Sequence, residues 1–313
     1  MKPKIWITGH RGMLGSAMLR CLASTKADLL LTTRKEIDLY NQAQVLEWME
    51  KNRPDYVFHI GAKVGGIVAN KKLPADFIVD NLMIQTNVIQ GAHLAKVKRL
   101  VFVASNCTYP AVAPQPLKET ALLSGPPDEN VRAYAVSKIA GIETCLAFRR
   151  QYGCDFRVVI PPNLYGPGDN YHPEYSHVVA GLLQRAHQAK VTGQPYFLVW
   201  GDGTARREIL HVDDLAEALK MVMFCEESPS VLNAGSGRDL TIAELAEMVL
   251  KVVGFKGGMK FDSTKPNGTM QKLLDSSKLL GLGWSPKIST AEGLKSAYDD
   301  FLKRMKDGTL ITG

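Results

Sequence analysis

The stretch Gly9-His10-Arg11-Gly12-Met13-Leu14-Gly15 decides the fold of this chain. It follows the apolar run 5–8 and leads directly into a segment with helical periodicity. Glycines at this spacing allow a tight turn and let the backbone approach a pyrophosphate at a helix N-terminus. A strand before the turn and a helix after it favour a dinucleotide-binding turn over a purely structural one.

Short apolar runs alternate with longer helical segments through the first half of the chain. The runs are rich in Val, Ile, Leu and Phe, as in strands buried on both faces, and lie at 5–8, 29–32, 56–60, 100–104 and 156–160. Helical periodicity separates them at about 13–25, 41–52, 76–96 and 134–152. This alternation predicts an α/β fold with a doubly wound parallel sheet of the Rossmann type.

The pattern changes after Pro161, where prolines and glycines predict a long irregular segment. Asp213 is the expected N-cap of one later helix. The other elements expected beyond this point are helices at about 177–190, 241–253 and 290–305 and a strand at 198–200. We predict a dinucleotide-binding Rossmann domain over 1–165, completed by about 195–230. A smaller mixed α/β lobe that binds the substrate is predicted over 166–194 and 231–313.

The composition is that of an ordinary globular protein, with 45% of the 313 residues hydrophobic and 22% charged. No apolar run is long enough for a signal peptide or a membrane span, so we expect a cytoplasmic protein. The five cysteines form no C-x-x-C pair, which predicts reduced thiols, and no metal site is expected. The net charge of +7 is dispersed, which favours phosphorylated small molecules over nucleic acid or a membrane as partners.

The residues after the second predicted strand indicate which dinucleotide binds. An acidic residue there would hydrogen-bond a ribose 2′-hydroxyl, whereas an arginine would pair with a 2′-phosphate. This chain has Thr32-Thr33-Arg34, with Glu36 beyond the arginine and Arg11 in the glycine turn as a second cation. The sequence therefore predicts NADPH rather than NADH.

Tyr134 and Lys138 lie one turn apart on the same face of a predicted helix. An ammonium stabilises a phenolate, so we expect Lys138 to lower the pKa of Tyr134 and let it protonate a ketone oxygen. Y-x-x-x-K alone would also fit an amphipathic helix with an exposed lysine. Ser105 ends a predicted strand, where ligands of such sheets bind, and offers a hydroxyl to the same oxygen. Together these residues resemble the extended short-chain dehydrogenase/reductase superfamily.

Longer stretches of the chain carry a more specific resemblance. They are Ala62-Lys63-Val64-Gly65-Gly66-Ile67, Asn163-Leu164-Tyr165-Gly166-Pro167, Asp169-Asn170-Tyr171-His172-Pro173, Ser176-His177-Val178, Glu208-Ile209-Leu210-His211-Val212-Asp213-Asp214 and Lys272-Leu273-Leu274-Asp275. These stretches resemble the GDP-L-fucose synthases, also called GDP-4-keto-6-deoxy-mannose 3,5-epimerase-4-reductases. The resemblance covers nearly the whole chain, from the first strand to Leu282-Gly283-Trp284.

The resemblance implies proton transfer on carbon as well as reduction. A C4 ketone acidifies the hydrogens on C3 and C5, and Cys107 as base with His177 as acid would invert these centres through an enolate. Ser105 and Tyr134 would stabilise the enolate oxygen, and NADPH would then reduce C4. By position alone, Cys107 would also fit an inert buried thiol, and His177 a surface histidine or a residue at a helix start.

The resemblance also implies two sets of binding residues. Those for NADPH are Gly9, His10, Arg11, Gly12, Met13, Leu14, Gly15, Arg34, Asp38, Leu39, Ala62, Lys138, Pro161, Asn163, Leu164 and His177. Those for a GDP-linked 4-keto sugar are Asn106, Asn163, Arg185, Trp200, Arg207 and Asp275. Each nucleotide contact has an ordinary alternative: a helix face for Arg185, a strand core for Trp200, a loop charge for Arg207 and a cap for Asp275.

Three residues depart from the family pattern. Asn106 replaces the usual serine or other small residue, and Pro162 and Gly168 stand where Thr and His are common. Because Asn106 lies between two implied catalytic residues, one alternative is a C4-reductase for GDP-4-keto sugars of the heptose or colitose type with reduced or no epimerase activity. A non-catalytic dinucleotide-binding regulator is a further alternative, which the catalytic residues disfavour. A homodimer is the expected assembly.

Arg34→Ala tests the cofactor prediction. We expect kcat/KM with NADPH to fall at least about tenfold and kcat/KM with NADH to stay nearly constant, because only the 2′-phosphate loses its forked cation. Steady-state kinetics with both cofactors measure this, with Lys35→Ala as a control for the loss of one neighbouring charge. An unchanged ratio of the two efficiencies would contradict recognition of NADPH by Arg34.

Overall fold

The computed structural model describes residues 2–265 and 267–310, and its largest sheet is formed by parallel strands. These strands are β1 (Lys4–Thr8), β2 (Asp28–Leu30), β3 (Tyr56–His59), β4 (Arg99–Val103), β5 (Phe156–Ile160) and β9 (Val231–Asn233). Their order across the sheet is β2-β1-β3-β4-β5-β9. The predicted doubly wound parallel sheet is confirmed.

Helices cover both faces of this sheet. On one face, α1 (Met13–Leu22) packs against α7 (Val212–Phe224). The helices on the other face are α2 (Gln42–Asn52), α4 (Pro74–Leu94) and α5 (Arg132–Tyr152), while the short α3 (Ile67–Lys72) lies between β3 and α4. Strand β1 shows the double burial directly, because Ile5 and Ile7 join the α1–α7 core and Trp6 joins the core under α2, α4 and α5. Each such side chain contributes roughly 1.5–3 kcal/mol by leaving water.

The remaining elements form a second, smaller layer over the carboxyl edge of the large sheet. They are β6 (Asn163–Tyr165), α6 (Val178–Val191), β7 (Tyr196–Trp200), β8 (Arg206–His211), β10 (Asp239–Thr241), α8 (Ile242–Val253), β11 (Gly258–Asp262) and α10 (Thr290–Lys306). The short α9 (Ser277–Gly281) instead packs beside β9 of the large sheet. The strands pair into two small sheets, β10-β8-β6 and β11-β7. Helices α6, α8 and α10 share one apolar core with them.

The segment 195–230, predicted to complete the Rossmann domain, contributes to both parts. Helix α7 packs on the large sheet, whereas β7 and β8 pair with strands of the small sheets. Strand β9, predicted in the lobe, is instead the edge strand beside β5. The irregular segment after Pro161 contains the short β6. Residues 1, 266 and 311–313 of the predicted domains lie outside the described residues.

The N-cap of α7 was predicted wrongly. His211, not Asp213, caps this helix, because its Nδ1 accepts a hydrogen bond from the Asp213 N–H at 3.2 Å. Asp213 lies in the first helical turn, where a carboxylate is favoured by the helix dipole, and it pairs with Arg20 of α1. Imidazole thus takes the position that the sequence pattern assigns to a carboxylate.

The strand order indicates where a ligand binds. The order reverses at β1, because β2 lies on one side of β1 and β3 on the other. Ligands of such sheets bind at this reversal, outside the carboxyl ends of the strands. In 2–265 and 267–310, no helix is long and apolar enough to cross a membrane.

Candidate active site

A cavity of about 570 Å³ lies where β1, β3, β4 and β5 end and the smaller layer covers them. Most residues implied by the sequence resemblance line it: Gly9, Gly12, Met13, Leu14, Gly15, Ala62, Ser105, Asn106, Cys107, Tyr134, Lys138, Pro161, Asn163, Leu164, His177, Arg185, Trp200 and Arg207. The implied residues outside its lining are His10, Arg11, Arg34, Asp38, Leu39 and Asp275. One cavity therefore joins the glycine turn, the reducing residues and the nucleotide cations.

The glycine turn is closed so tightly that a side chain is excluded at Gly9 and at Gly15. A Cβ on Gly15 would lie 2.1 Å from the Gly9 carbonyl oxygen. Gly9 has a φ of +72°, and a Cβ there would lie 2.8 Å from the Cα of Gly61. Gly12 donates its N–H to the Gly9 oxygen at 3.0 Å, and α1 begins at the next residue. This backbone cradle at a helix N-terminus fits a dinucleotide pyrophosphate.

The residues predicted to select the cofactor lie beside this turn. Arg11 and Arg34 are exposed. The carboxylate of Glu36 accepts the Thr33 N–H at 2.7 Å, and this bond, with a smaller effect of Arg11, lowers the pKa of Glu36. Asp38 likewise accepts the Tyr40 N–H at 3.1 Å. Both carboxylates accept a hydrogen bond from the backbone, which agrees with the prediction that an arginine rather than an acid faces the cofactor ribose.

Ser105 and Cys107 are fixed in one turn after β4. Ser105 caps a short 3₁₀ helix over Asn106–Thr108, and its Oγ accepts the Cys107 N–H at 3.2 Å. Between them, Asn106 is buried; its Oδ1 lies 4.0 Å from the Cys107 Sγ. The departure from the family pattern therefore places an amide next to the thiol.

Tyr134 and Lys138 lie in the first half of α5, beside this turn. Burial raises the pKa of Tyr134, and a hydrogen bond with Ser105 opposes the rise. The Lys138 ammonium donates to the Val103 carbonyl at 3.0 Å and lies 4.7 Å from the centre of the Phe102 ring. Burial lowers the pKa of Lys138 to about 7. Desolvation is the main influence on the pKa of both groups and opposes the effect expected of Lys138, so the lowering of the Tyr134 pKa by Lys138 stays a prediction.

His177 enters the cavity from the smaller layer. It is the N-cap residue of α6, which begins at Val178, and burial lowers the pKa of its imidazole. The loop 170–176 delivers it: the Gly66 N–H donates to the Tyr175 carbonyl at 2.8 Å. A Cβ on Gly66 would lie 2.4 Å from the Ser176 carbonyl oxygen. The loop that carries the imidazole thus rests directly on backbone of the K-V-G-G stretch.

Cations gather at the far end of the cavity. The Arg185 guanidinium lies 4.8 Å and the Lys265 ammonium 5.6 Å from the centre of the Trp200 ring. Burial lowers the pKa of Arg185 to about 10. Arg207 donates to the carbonyls of Thr269 at 2.6 Å and Asn267 at 2.7 Å. This concentration of positive charge suits a diphosphate.

Asp275 is not brought to this end of the cavity. Its Oδ1 accepts the Ser277 N–H at 3.0 Å, and its N–H donates to the Leu117 carbonyl at 2.9 Å. The hydrogen bond with Ser277 lowers the pKa of Asp275. Its carboxylate therefore serves the turn before α9, the capping alternative considered for it.

Sequence reasoning missed Lys272 and Asn70. Lys272 is buried in the cavity wall, and its ammonium donates to the Asn106 carbonyl at 3.2 Å. Asn70 is also buried in this wall. The stretches around both residues were recognised as similar to the family, yet only the fold reveals that these side chains face the cavity. In the described part of the chain, no group of three or more His, Cys, Asp and Glu is placed to hold a metal.

The fold and cavity define a dinucleotide-dependent enzyme of the short-chain dehydrogenase/reductase superfamily. Residues 5–235 match the NAD dependent epimerase/dehydratase family, and the chain belongs to this family. GDP-L-fucose synthase 1 of Arabidopsis thaliana is 50% identical over 303 residues, which are 96% of this chain and 94% of that protein. The resemblance to GDP-L-fucose synthases predicted from the sequence is confirmed.

Two solved structures are similar over nearly their whole length. The GDP-L-fucose synthetase from Naegleria fowleri bound to NADP has a TM-score of 0.90 at 27% identity, covering 99% of this chain and 95% of that one. The GDP-D-glycero-L-gluco-heptose synthase from Campylobacter jejuni, crystallised with NADPH, has a TM-score of 0.86 at 34% identity. It covers 96% of this chain and 98% of its own.

The buried Lys138 makes stability depend on pH. Its pKa is about 7 in the folded chain and near 10.4 when unfolded, so between these values the unfolded chain binds more protons and stability rises with pH. From pH 7 to pH 9, the free energy of unfolding of the cofactor-free wild type should rise by about 2 kcal/mol relative to Lys138→Met. Urea denaturation measures the difference, with the exposed Lys26→Met as control. A difference that does not change with pH would contradict the effect of burial.

Proposed function

We propose that the protein catalyses NADPH-dependent 3,5-epimerisation and 4-reduction of a GDP-4-keto-6-deoxy-mannose-type sugar to GDP-L-fucose or a close relative. The observation that carries this proposal is that Cys107 and His177 line the same cavity as Ser105, Tyr134 and Lys138. A reductase alone needs only the last three. The identity to GDP-L-fucose synthase 1 over nearly the whole chain supports the same activity.

The residues of the glycine turn fit NADPH. Gly9, Gly12 and Gly15 would hold its pyrophosphate on backbone, and Arg34 with Arg11 would hold the 2′-phosphate. Lys138 would hold the nicotinamide ribose, beside Asn163 and Leu164. When bound, NADPH supplies the hydride for C4. The NADP-bound structure of the Naegleria relative supports this choice of cofactor.

The polar groups around Ser105 would act on the C4 oxygen. The Ser105 hydroxyl and the Tyr134 phenol donate hydrogen bonds to this oxygen, which stabilises negative charge on it in the enolate. Because burial raises the pKa of Tyr134, the phenol stays protonated and can transfer its proton when C4 is reduced. Because the Tyr134 phenol keeps its proton until reduction, it can first stabilise the enolate and then protonate the C4 oxygen.

Cys107 and His177 would move protons on the neighbouring carbons. The Cys107 thiolate removes the proton from C3 or C5, and the C–H electron pair enters the enolate. His177, protonated from solvent, returns a proton to the opposite face, and its lowered pKa makes the imidazolium a stronger acid. Each transfer inverts one centre and consumes no redox equivalent. His177 reaches the cavity from the smaller layer whereas Cys107 follows β4, so the two groups approach from different sides.

The nucleotide would bind at the cationic end. Arg185 and Arg207 suit the diphosphate because guanidinium groups bind phosphate oxygens in forked pairs. Lys272 adds an ammonium between this end and Asn106. Trp200 offers an aromatic surface to the base or sugar. Asn106 and Asn163 would contact the sugar, and Asp275 stays a prediction because it does not line the cavity.

A C4-reductase for a GDP-4-keto heptose or colitose-type sugar is the second candidate. The amide of Asn106 beside the Cys107 thiol and the similarity to a heptose synthase favour it. A non-catalytic regulator is disfavoured because the reducing residues all meet in the cavity. The homodimer and the cytoplasmic location stay predictions.

Product analysis separates the candidates. We expect NADPH oxidation with GDP-4-keto-6-deoxy-mannose in deuterium oxide, with deuterium at C3 and C5 of the product by NMR. The panel includes GDP-4-keto sugars of the heptose and dideoxyhexose types. Reduction without deuterium at either carbon would establish the simple C4-reductase, and no oxidation with any 4-keto sugar would contradict the enzymatic proposal.

Cys107→Ser tests the base. A serine hydroxyl stays protonated at neutral pH and is a far weaker base than a cysteine thiolate, so we expect deuterium incorporation to fall at least about a hundredfold. Reduction of a pre-epimerised 4-keto sugar should fall much less, because Ser105 and Tyr134 remain. Cys21→Ser is the matched control, since Cys21 bonds Glu217 outside the cavity. Equal losses of both reactions would contradict a base role confined to epimerisation.

A further inference from the structure

Asn70 lies in the cavity wall with its amide orientation fixed. It is 5% exposed and belongs to α3, directly after the K-V-G-G loop. Its Nδ2 donates to the Gly65 carbonyl at 2.9 Å and to the Gly66 carbonyl at 3.1 Å. Both amide hydrogens are therefore used on the glycine pair. The Oδ1 is buried, and no hydrogen-bond partner reaches it within 2–265 and 267–310.

The glycine pair transmits this position to the loop that carries His177. Gly66 donates its N–H to the Tyr175 carbonyl at 2.8 Å, two residues before His177. At a φ of −66° an alanine would be allowed by the backbone, yet its Cβ would meet the Ser176 carbonyl oxygen at 2.4 Å. The close approach is therefore a packing contact. The side-chain amide of Asn70 bonds the glycine pair, and the backbone of Gly66 in turn contacts the residues before His177.

Asn81 of α4, which bonds Lys63 at the start of the same loop, shows how a purely structural asparagine is arranged. It is 1% exposed, and its Oδ1 accepts the Lys63 N–H at 2.9 Å. Its Nδ2 donates to the carbonyls of Lys63 at 3.0 Å and Phe77 at 2.7 Å. Every polar atom of Asn81 is paired, whereas Asn70 keeps one buried acceptor unpaired. An unpaired acceptor costs about 1–3 kcal/mol, so the stability gained from Asn70 is small.

We propose that Asn70 is a positioning residue for His177, which sets the imidazole through Gly65, Gly66 and the carbonyls of Tyr175 and Ser176. The inference rests on the proposed function, in which His177 is the acid. The expected chemical effect of changing Asn70 is limited to the step that needs His177. Ser105 and Cys107 lie in the turn after β4, and Tyr134 and Lys138 lie on α5. Their positions are set by elements other than α3 and the loop 170–176, so we expect them to stay in place when Asn70 is changed.

When His177 is misplaced, hydrogen exchange at the sugar carbons continues but inversion of those carbons stops. Cys107 still removes a proton from carbon, and its thiol still exchanges with solvent and returns a deuteron to the face it came from. Only the return to the opposite face, which needs His177, is lost. A misplaced acid therefore gives deuterium in the sugar without inversion, a signature that general loss of structure does not produce.

The experiment uses Asn70→Ala, Gly66→Ala and the double variant with GDP-4-keto-6-deoxy-mannose in deuterium oxide. We expect the ratio of inverted to exchanged sugar to fall at least about tenfold in each single variant, with kcat for a pre-epimerised substrate within about threefold of wild type. Because both changes act on the same contacts, the double variant should lose little more than either single one. Additive losses would contradict a shared path.

Asn81→Ala is the matched control. It removes a fully paired amide by which α4 holds the same loop at Lys63, so we expect a larger fall in Tm than for Asn70→Ala, with exchange, inversion and reduction reduced in parallel. The inference is overturned if Asn70→Ala leaves the ratio of inversion to exchange at its wild-type value. The proposed function itself fails in a different way, when the wild type incorporates no deuterium or oxidises no NADPH.

Discussion

The hydrogen bond from the Lys138 ammonium to the Val103 carbonyl is the contact on which the active-site arrangement depends. Val103 is the last residue of β4, and Ser105 and Cys107 follow it at once, so this bond holds α5 against the turn that carries both. Tyr134, one helical turn before Lys138, is thereby placed on Ser105. The bond is made by a cation whose surroundings disfavour its charge, which leaves Lys138 poised between two protonation states near neutral pH.

The rest of the site is assembled by the smaller layer. Its loop 170–176 delivers His177 onto the K-V-G-G backbone, and its strands β7 and β8 carry Trp200 and Arg207 to the opposite end. The segment around Asn267 and Thr269 closes the cavity through carbonyls that accept from Arg207. The residues proposed for hydride transfer thus follow the large sheet, while those proposed for inversion and nucleotide binding come from both parts of the chain.

The sequence predicts the large sheet well because its strands are buried on both faces and read as continuous apolar runs, as in β1 and β5. It fails where tertiary contacts choose between equivalent local options. Imidazole replaces carboxylate as the cap of α7, and β9 adds to the large sheet although it follows three strands of the small ones. Burial of Lys138, Lys272 and Asn70 is likewise invisible before packing is known, as is the turn that keeps Asp275 from the cavity.

Trp200 differs from the other tryptophans of the chain. Trp6 and Trp284 are buried in the core, and Trp48 packs on Trp6 with ring centres 4.6 Å apart. Trp200 lines the cavity, and its ring lies beside the cations Arg185 and Lys265, which a diphosphate would attract. The fluorescence of an indole ring responds to nearby charge, so emission from Trp200 reports the binding of a nucleotide at this end of the cavity. Together with the absorbance of reduced nicotinamide at the other end, it gives two spectroscopic signals from opposite ends of one cavity.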